Sequence, residues 1–280
     1  ASSMTDGDTS SEVKAILNIP VIDDRLAFRL VTSYKDTGGW IDQREINKKN
    51  VNDNQASYVR LKALWRASED LTINAMVLRS RSDTGAGSIA NIRSTDGETY
   101  YRTVIGTGLP LPSTDQNDEN DIYNVTLNYD LGFATLTSSS SHLDIKSYNS
   151  SGSSLVSQDP AVHTGATLVG IVNQSKGFAQ ELRLASADNG SALDWQVGVF
   201  YSDTEFLNAS NFGFFFNGFG GFSGVSELAT SHESTAIFAN VGYDLTEQLT
   251  LTVGARYFEE DQTFGQNPVS DSASFDHLSP

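Results

Sequence analysis

The acidic run from Asp115 to Asp121 is the segment of this chain that comes nearest to a metal site. Its carboxylate and amide oxygens are close together in sequence, and such oxygens are the ligands that calcium prefers. An EF-hand loop, however, needs a glycine at its sixth position and a glutamate at its twelfth, and this run has neither. We therefore predict a solvated acidic loop rather than a calcium site.

The remaining polar residues do not support catalytic chemistry. The histidines are too far apart in sequence for a metal motif: His142, His163, His232 and His277. Glu259, Glu260 and Asp261 lie near the predicted end of a strand and fit a polar rim better than a catalytic pair. No serine is flanked as in a nucleophile elbow, and the chain has no cysteine. We predict no catalytic residue, no metal site and no cofactor, so an enzyme is not expected.

The segment from Phe212 to Phe222 is the most unusual stretch of the chain because phenylalanines alternate there with glycines. As an exposed outer loop it would offer aromatic surface for stacking on a ligand such as a sugar or a siderophore ring. Folded inward, it would be a packed loop tip. No helix-forming stretch follows the glycines, so they are not a dinucleotide fingerprint. The ligand-contact candidates are Phe212, Phe214, Phe215, Phe216, Phe219 and Phe222.

Composition excludes one class of partner and one kind of membrane segment. The net charge is −17, from 35 acidic and 18 basic residues, whereas nucleic acid requires a basic footprint. We therefore predict no nucleic-acid partner. No apolar run approaches the roughly 20 residues of a transmembrane helix. A membrane-spanning structure would thus have to be built from strands.

Strand-like runs occur in five pairs, and each pair is joined by a short turn rich in Asp, Asn, Gly or Glu. The runs in each pair are 12–21 with 25–35, 57–67 with 71–81, 121–130 with 133–147, 178–187 with 193–206, and 234–245 with 249–264. Long polar stretches separate one pair from the next. The acidic run and the phenylalanine-rich segment both fall in these stretches, where we predict loops.

Most runs alternate between apolar and polar residues with a period of two, which is typical of a strand with one apolar face. Val59, Leu61 and Trp65, for example, alternate with Arg60 and Lys62. In the run 133–147 the serines at 138–141 obscure the pattern, and its faces cannot be assigned from the sequence.

Run length and connection length together predict the fold class. Each run has about 10 to 15 residues, longer than the roughly 5 to 6 of a soluble strand and enough for a tilted membrane crossing. Short turns at one end and long loops at the other are typical of bacterial outer-membrane barrels. The sequence therefore predicts an all-β fold, a transmembrane antiparallel up-and-down β-barrel segment of about ten strands.

In such a barrel, aromatic residues at both strand ends would form two girdles at the membrane surfaces. Near the short turns these are Trp65, Tyr129, Phe133, Trp195 and Tyr243; at the other ends they are Tyr34, Tyr148, Tyr201, Phe206, Tyr257 and Phe264. Charged residues on the polar positions would line the lumen, where they either contact a plug or substrate or only pair with one another. These lumen-facing candidates are Arg60, Lys62, Arg66, Glu181, Arg183 and Arg256.

Several segments resemble barrel hairpins of TonB-dependent receptors, in a subtype like those of sphingomonad-type bacteria. The resembling stretches are 178–184 with 195–201, 245–257, and 22–29 with 36–42, and residues 275–280 look like the start of a following strand. The barrel of that family has 22 strands and is filled by a plug. The resemblance implies that residues 1–280 are part of a barrel domain whose plug and C-terminal strands are missing.

By the same resemblance, the whole protein would lie in the outer membrane of a Gram-negative bacterium and bind a scarce nutrient. The nutrient would be a siderophore, haem, cobalamin or an oligosaccharide, imported with energy relayed by TonB. Expected partners are outer-membrane lipid, the TonB complex acting through the missing plug region, and a small-molecule or glycan ligand. Alternation alone also allows a passive porin, or an exported soluble β-rich binding module.

Overall fold

A computed structural model describes residues 7–41, 47, 49–85, 115–155, 165–188, 190–216 and 219–267. For residues 151–155, 165–168, 214–216, 219–223 and 267 it describes the backbone alone. The strands are β1 (Ser11–Ile22), β2 (Leu26–Thr37), β3 (Asn54–Arg66), β4 (Leu71–Thr84), β5 (Gln116–Asp130), β6 (Ala134–Leu155), β7 (Gly165–Ser186), β8 (Leu193–Phe216), β9 (Phe219–Thr246) and β10 (Leu249–Asn267). Among the described residues, no helix is long and apolar enough to cross a membrane.

The strands form a single sheet in the order of the sequence, from β1 to β10, and each neighbouring pair is antiparallel. β1 and β10 are therefore the two edge strands of the described sheet. This arrangement confirms the all-β, up-and-down prediction and each of its five strand pairs. The sheet does not close on itself within the described residues, as expected for part of a barrel.

Tight turns connect the two strands of each predicted pair. Asp24, Gly132 and Gly190 have positive φ angles of 56°, 82° and 73° in three of these turns. Glycine adopts such angles at little cost, and aspartate tolerates them better than most residues. The turn between β1 and β2 is closed by a hydrogen bond from the Arg25 amide to the Ile22 carbonyl (3.0 Å). The predicted short-turn end is therefore confirmed.

The opposite end differs from the prediction because the strands there are longer. β6 to β10 have 19 to 28 residues each, whereas a tilted crossing needs about 9 to 11. The stretch between Phe206 and Ser234, predicted as a loop, is mostly strand, and only positions 217 and 218 separate β8 from β9. The loop assignment of the phenylalanine-rich segment was wrong. A ribbon that extends beyond a membrane needs no apolar face, so the alternation used to find strands fades there.

The acidic run was also predicted as a loop, and this was wrong as well because β5 begins at Gln116. The neighbouring strand supplies opposite charge at the same level. Arg79 pairs in register with Asp121 and Arg81 with Glu119. The ion-pair distances are 2.6 Å and 3.4 Å, respectively. Opposite charges directly across adjacent strands favour this pairing.

The sheet has two chemically different faces. We call the side that carries Leu61, Trp65, Ile73 and Leu127 the apolar face; the register aligns its members across all ten strands. The opposite side is the polar face. Few hydrophobic side chains are buried among the described residues, namely Ile41, Val51, Ala134, Ala209 and Ala236. The sheet is a single layer, so its apolar face must be covered by something other than the described chain.

The upper limit of the apolar face slopes across the sheet. It lies at Val13 on β1 and at Tyr257 on β10, where Glu259 follows. The register connects Val13 through every strand to Gly265, so the limit has moved eight residues toward the short-turn end. With about 3.3 Å per residue and about 4.8 Å between strands, the slope equals a strand tilt of roughly 30°. Transmembrane barrels have a similar tilt, about 35–45°.

The register assigns the faces of β6, which the sequence left open. Ser138, Ser140 and His142 lie on the apolar face, in line with Leu182, Gln180 and Phe178 of β7. The Gln180 side chain donates to Ser138 Oγ (3.0 Å) and accepts from the Ser140 hydroxyl. Since these polar groups satisfy one another, they can lie on an apolar face without unpaired donors.

The predicted girdles are partly reproduced. Near the short turns, Trp65, Tyr129, Trp195 and Tyr243 project to the apolar face, and Phe133 lies in a turn. At the other ends, Tyr34, Tyr201 and Tyr257 lie at the upper limit of the apolar face, while Tyr148 lies farther out along β6. Phe206 and Phe264 project to the polar face, so their assignment to a girdle was wrong. Side chains alternate between the faces of a strand, so Phe206, six residues from Phe200, and Phe264, eight residues from Arg256, lie on the polar face with them.

A hydrogen-bonded ladder joins β5 and β6 on the polar face. The Asn124 amide donates to Ser139 Oγ (3.4 Å), the Ser140 carbonyl (3.2 Å) and Ser141 Oγ (2.9 Å). We expect Asn124→Ala to destabilise the folded protein by about 1 kcal/mol, because several partly buried partners lose their donor. Asn128→Ala removes one bond, from Thr137, and should cost less. Urea midpoints in detergent measure both, and equal costs would contradict this ranking.

Candidate functional site

The six charged residues singled out in the sequence all lie on the polar face. They fall into two groups. Arg60, Lys62 and Arg66 lie on β3, whereas Glu181, Arg183 and Arg256 lie on β7 and β10. At about 4.8 Å per strand, β3 and β7 are roughly 19 Å apart. The six residues therefore form two separate groups, one of three residues on β3 and one of three residues on β7 and β10.

The second group surrounds two aromatic rings that the sequence analysis missed. The Arg256 guanidinium lies 5.7 Å from the centroid of the Phe200 ring, a cation–π distance. The Phe238 ring covers Gly198, where an added Cβ would overlap it. Arg183 is aligned with Gly198, and Glu181 with Phe200. The signal in the sequence was that Phe200 and Phe238 occupy polar-face positions of otherwise alternating strands.

Charge pairing within the predicted set is absent from the described part of the chain. None of the six forms an ion pair with another there, although Arg66 Nη1 donates to the Asp24 carbonyl (3.2 Å). The described ion pairs on the polar face join residues outside the set: Lys14 Nζ and Glu12 Oε1 are 2.9 Å apart, and His232 Nδ1 and Glu260 Oε1 are 2.7 Å apart.

Lys62 of the first group lines a concave site on the polar face of β1 to β5. Its cavity has a volume of about 700 Å³, and its polar lining includes Asn18, Arg29, Lys62, Asn74 and Asn124. The Arg29 guanidinium donates to Asn18 Oδ1 (3.2 Å). Pro20, Leu64 and Met76 also line it, so two cations and several amides lie beside a larger apolar surface.

Aromatic residues recur on the polar face toward the long end of β8 to β10. The register aligns Phe200 with Phe258 across Ala236, and Phe206 with Phe264 across Thr230. Farther out, the backbone register places residues 212, 214, 216, 219 and 222 on this same face, and residue 215 lies in a register shift. Ligand contact by these phenylalanines stays a prediction.

Comparison with known proteins decides the family. A family model described as "TonB dependent receptor-like, beta-barrel" matches residues 65–280. The chain belongs to the TonB-dependent receptors. Barrels of this family reside in the Gram-negative outer membrane, and the incomplete sheet agrees with a partial barrel. The recognition from three hairpins is confirmed.

Solved receptor structures share the fold at low sequence identity. The ferric yersiniabactin uptake receptor FyuA from Yersinia pestis is 14% identical, with a TM-score of 0.66, over 94% of this chain and 42% of that one. The siderophore receptor PiuA from Acinetobacter baumannii is 11% identical, with a TM-score of 0.51, over 93% of this chain and 45% of that one. The chain thus spans less than half the length of these receptors.

In this TonB-dependent receptor chain, a charged pair lies beyond the upper limit of the apolar face. Arg79 Nε and Nη2 donate to the two Asp121 carboxylate oxygens at 2.6 Å and 2.7 Å. The hydrogen bond from Arg79 holds the pKa of the Asp121 carboxyl below its ordinary value. The carboxylate therefore stays ionised at mildly acidic pH, and the pair persists there.

No group of histidine, cysteine or carboxylate side chains that could hold a metal occurs in the described portion of the receptor chain. His232 has its carboxylate neighbour on the polar face, while His142 packs near Tyr123, with ring centroids 6.2 Å apart. His163, His277 and the strand start predicted at 275–280 lie outside the described residues. The polar face therefore presents aromatic rings, hydroxyl groups and charged side chains.

Proposed function

We propose that residues 1–280 form part of the barrel wall of an outer-membrane receptor that binds a scarce nutrient and imports it with energy from TonB. The observation that carries the proposal is the family match to a sheet with a continuous, sloping apolar face. The apolar face would contact lipid, and the polar face would line the lumen. The short turns would then face the periplasm and the extended ends of β6 to β10 the outside.

The nutrient class follows from the family and stays broad at this point: a siderophore, haem, cobalamin or an oligosaccharide. The two similar solved structures are receptors for ferric yersiniabactin and for a siderophore, which supports an iron chelate as one candidate. TonB would act through a plug region outside this chain. Outer-membrane lipid and the nutrient would be the other partners.

Uptake measurements test the proposal. We expect cells that express the receptor to accumulate one of four labelled probes, namely a ferric siderophore, haem, cyanocobalamin or a neutral tetrasaccharide. Accumulation should stop when tonB is deleted, because active import needs the energy that TonB relays. Passive diffusion does not need TonB and would continue. Uptake that continues without TonB, together with a steady open conductance in planar bilayers, would contradict the proposal and favour a porin.

A further inference from the structure

The polar face of β8 to β10 carries aromatic side chains at a regular interval. Phe200, Phe206 and Phe212 follow one another every six residues on β8, and Phe258 and Phe264 do so on β10. The register puts Phe200 level with Phe258, and Phe206 level with Phe264. We call these two levels the lower and the upper aromatic row; they are about 20 Å apart along the strands.

Small residues on β9 lie between the two rings of each row. Ala236, between Phe200 and Phe258, is only 1% exposed, so the residues around it cover it. Phe206, on the interior strand β8, is 39% exposed. A large, partly exposed ring on the polar face is a surface on which a ring-shaped ligand can stack.

Hydroxyl and amide groups fill the space between the rows. One level consists of Ser202, Ser234 and Glu260, and the next of Thr204, His232 and Gln262. Together they present donors and acceptors along the whole distance between the aromatic rows. Alternation of ring surfaces with such groups suits a ligand that has both an apolar ring face and many hydroxyls.

Charge narrows the ligand class further. Beyond the lower row, the ionisable side chains on the polar face of β7 to β10 are His232 and Glu260, as far as this region is described, and these pair at 2.7 Å. A ferric catecholate complex or haem carries negative charge and would need cations there, but the nearest described cation, Arg256, stacks on Phe200. The chain as a whole is also strongly acidic. An uncharged ligand avoids both problems.

We propose that the polar face of β8 to β10 binds a neutral oligosaccharide, with sugar rings stacked on the aromatic rows and hydroxyls bonded to the residues between them. This inference rests on the proposed function, since it names the substrate class of the same receptor. Phe206 and Phe264 would contact the sugar directly. The His232–Glu260 pair would offer hydrogen bonds without adding net charge.

Calorimetry on the receptor purified in detergent tests this assignment. The probes are maltotetraose, cellotetraose and xylotetraose, against a ferric catecholate complex. We expect a neutral tetrasaccharide to bind, and Phe206→Ala and Phe264→Ala each to raise its Kd about tenfold through lost stacking. Phe178→Ala, which changes the same residue type on the apolar face, should leave Kd unchanged.

A second variant keeps the test independent of folding. Phe206→Trp should retain affinity, and its fluorescence should change when the tetrasaccharide binds. Binding of the ferric complex alone, or a tetrasaccharide Kd that is the same in all variants, would overturn the oligosaccharide assignment. Those results would leave TonB-dependent uptake intact, whereas loss of TonB dependence would overturn the proposed function itself.

Discussion

Val197→Arg is expected to prevent the receptor from accumulating as a folded barrel in the outer membrane. Val197 lies in the middle of the apolar face of β8, between Leu184 and Ala239, and is 44% exposed. If that face contacts lipid, an arginine near the bilayer midplane costs about 2–4 kcal/mol. A cost of that size is a large fraction of the stability of most proteins. Heat-modifiable mobility on gels measures the folded fraction.

The matched control is one residue away. Gln196 projects to the polar face, where it is aligned with Ala185 and Asn240. Gln196→Arg introduces the same side chain into the same strand, so strand propensity and expression are matched. We expect it to fold at close to the wild-type level. Equal losses from the two substitutions would mean that the two faces see similar solvent, and the barrel assignment would fail.

Gly198→Ala is the second substitution for which we expect a measurable loss of stability. Gly198 is buried, and a Cβ at this position would overlap the Phe238 ring from the neighbouring strand. The overlapping atoms are at the far end of the half-buried Phe238 side chain, so the ring can turn aside, and we expect a cost of about 1 kcal/mol, the low end of the range for overpacking. The displaced ring would also disturb the neighbouring Arg256–Phe200 stack.

A double-mutant cycle isolates this contact. In a Phe238→Ala background the ring is gone, so Gly198→Ala should add almost no further cost. The urea midpoints of the four proteins in detergent give the coupling directly. Additive costs would show that the glycine is needed for a backbone reason and not for the ring above it.

The ten strand positions could be predicted because each crossing strand needs one apolar face. The alternation of Val59 and Leu61 with Arg60 and Lys62 fixed both a strand and its orientation, and the register agrees. The short turns could be predicted as well, since Asp24 and Gly132 are residue types that accept positive φ. The charged residues were assigned to one face for the same reason.

The long outer ribbons were not predictable in this way. Outside the apolar band both faces meet polar surroundings, so nothing in the pattern marks where β7 begins or β8 ends. The contacts between side chains could not be predicted either, because the Phe200–Arg256 stack and the Gln180–serine bonds depend on cross-strand register.

A cysteine scan of β5 tests the central claim most directly, and residues 1–280 contribute no native cysteine that would compete for the label. Single cysteines at positions 124 to 129 would carry a spin label in receptor reconstituted into bilayers. We predict that labels at 125, 127 and 129 collide preferentially with lipid-soluble oxygen, and that labels at 124, 126 and 128 collide with a water-soluble nickel complex. Accessibility without this period of two would contradict a barrel wall with one face in lipid.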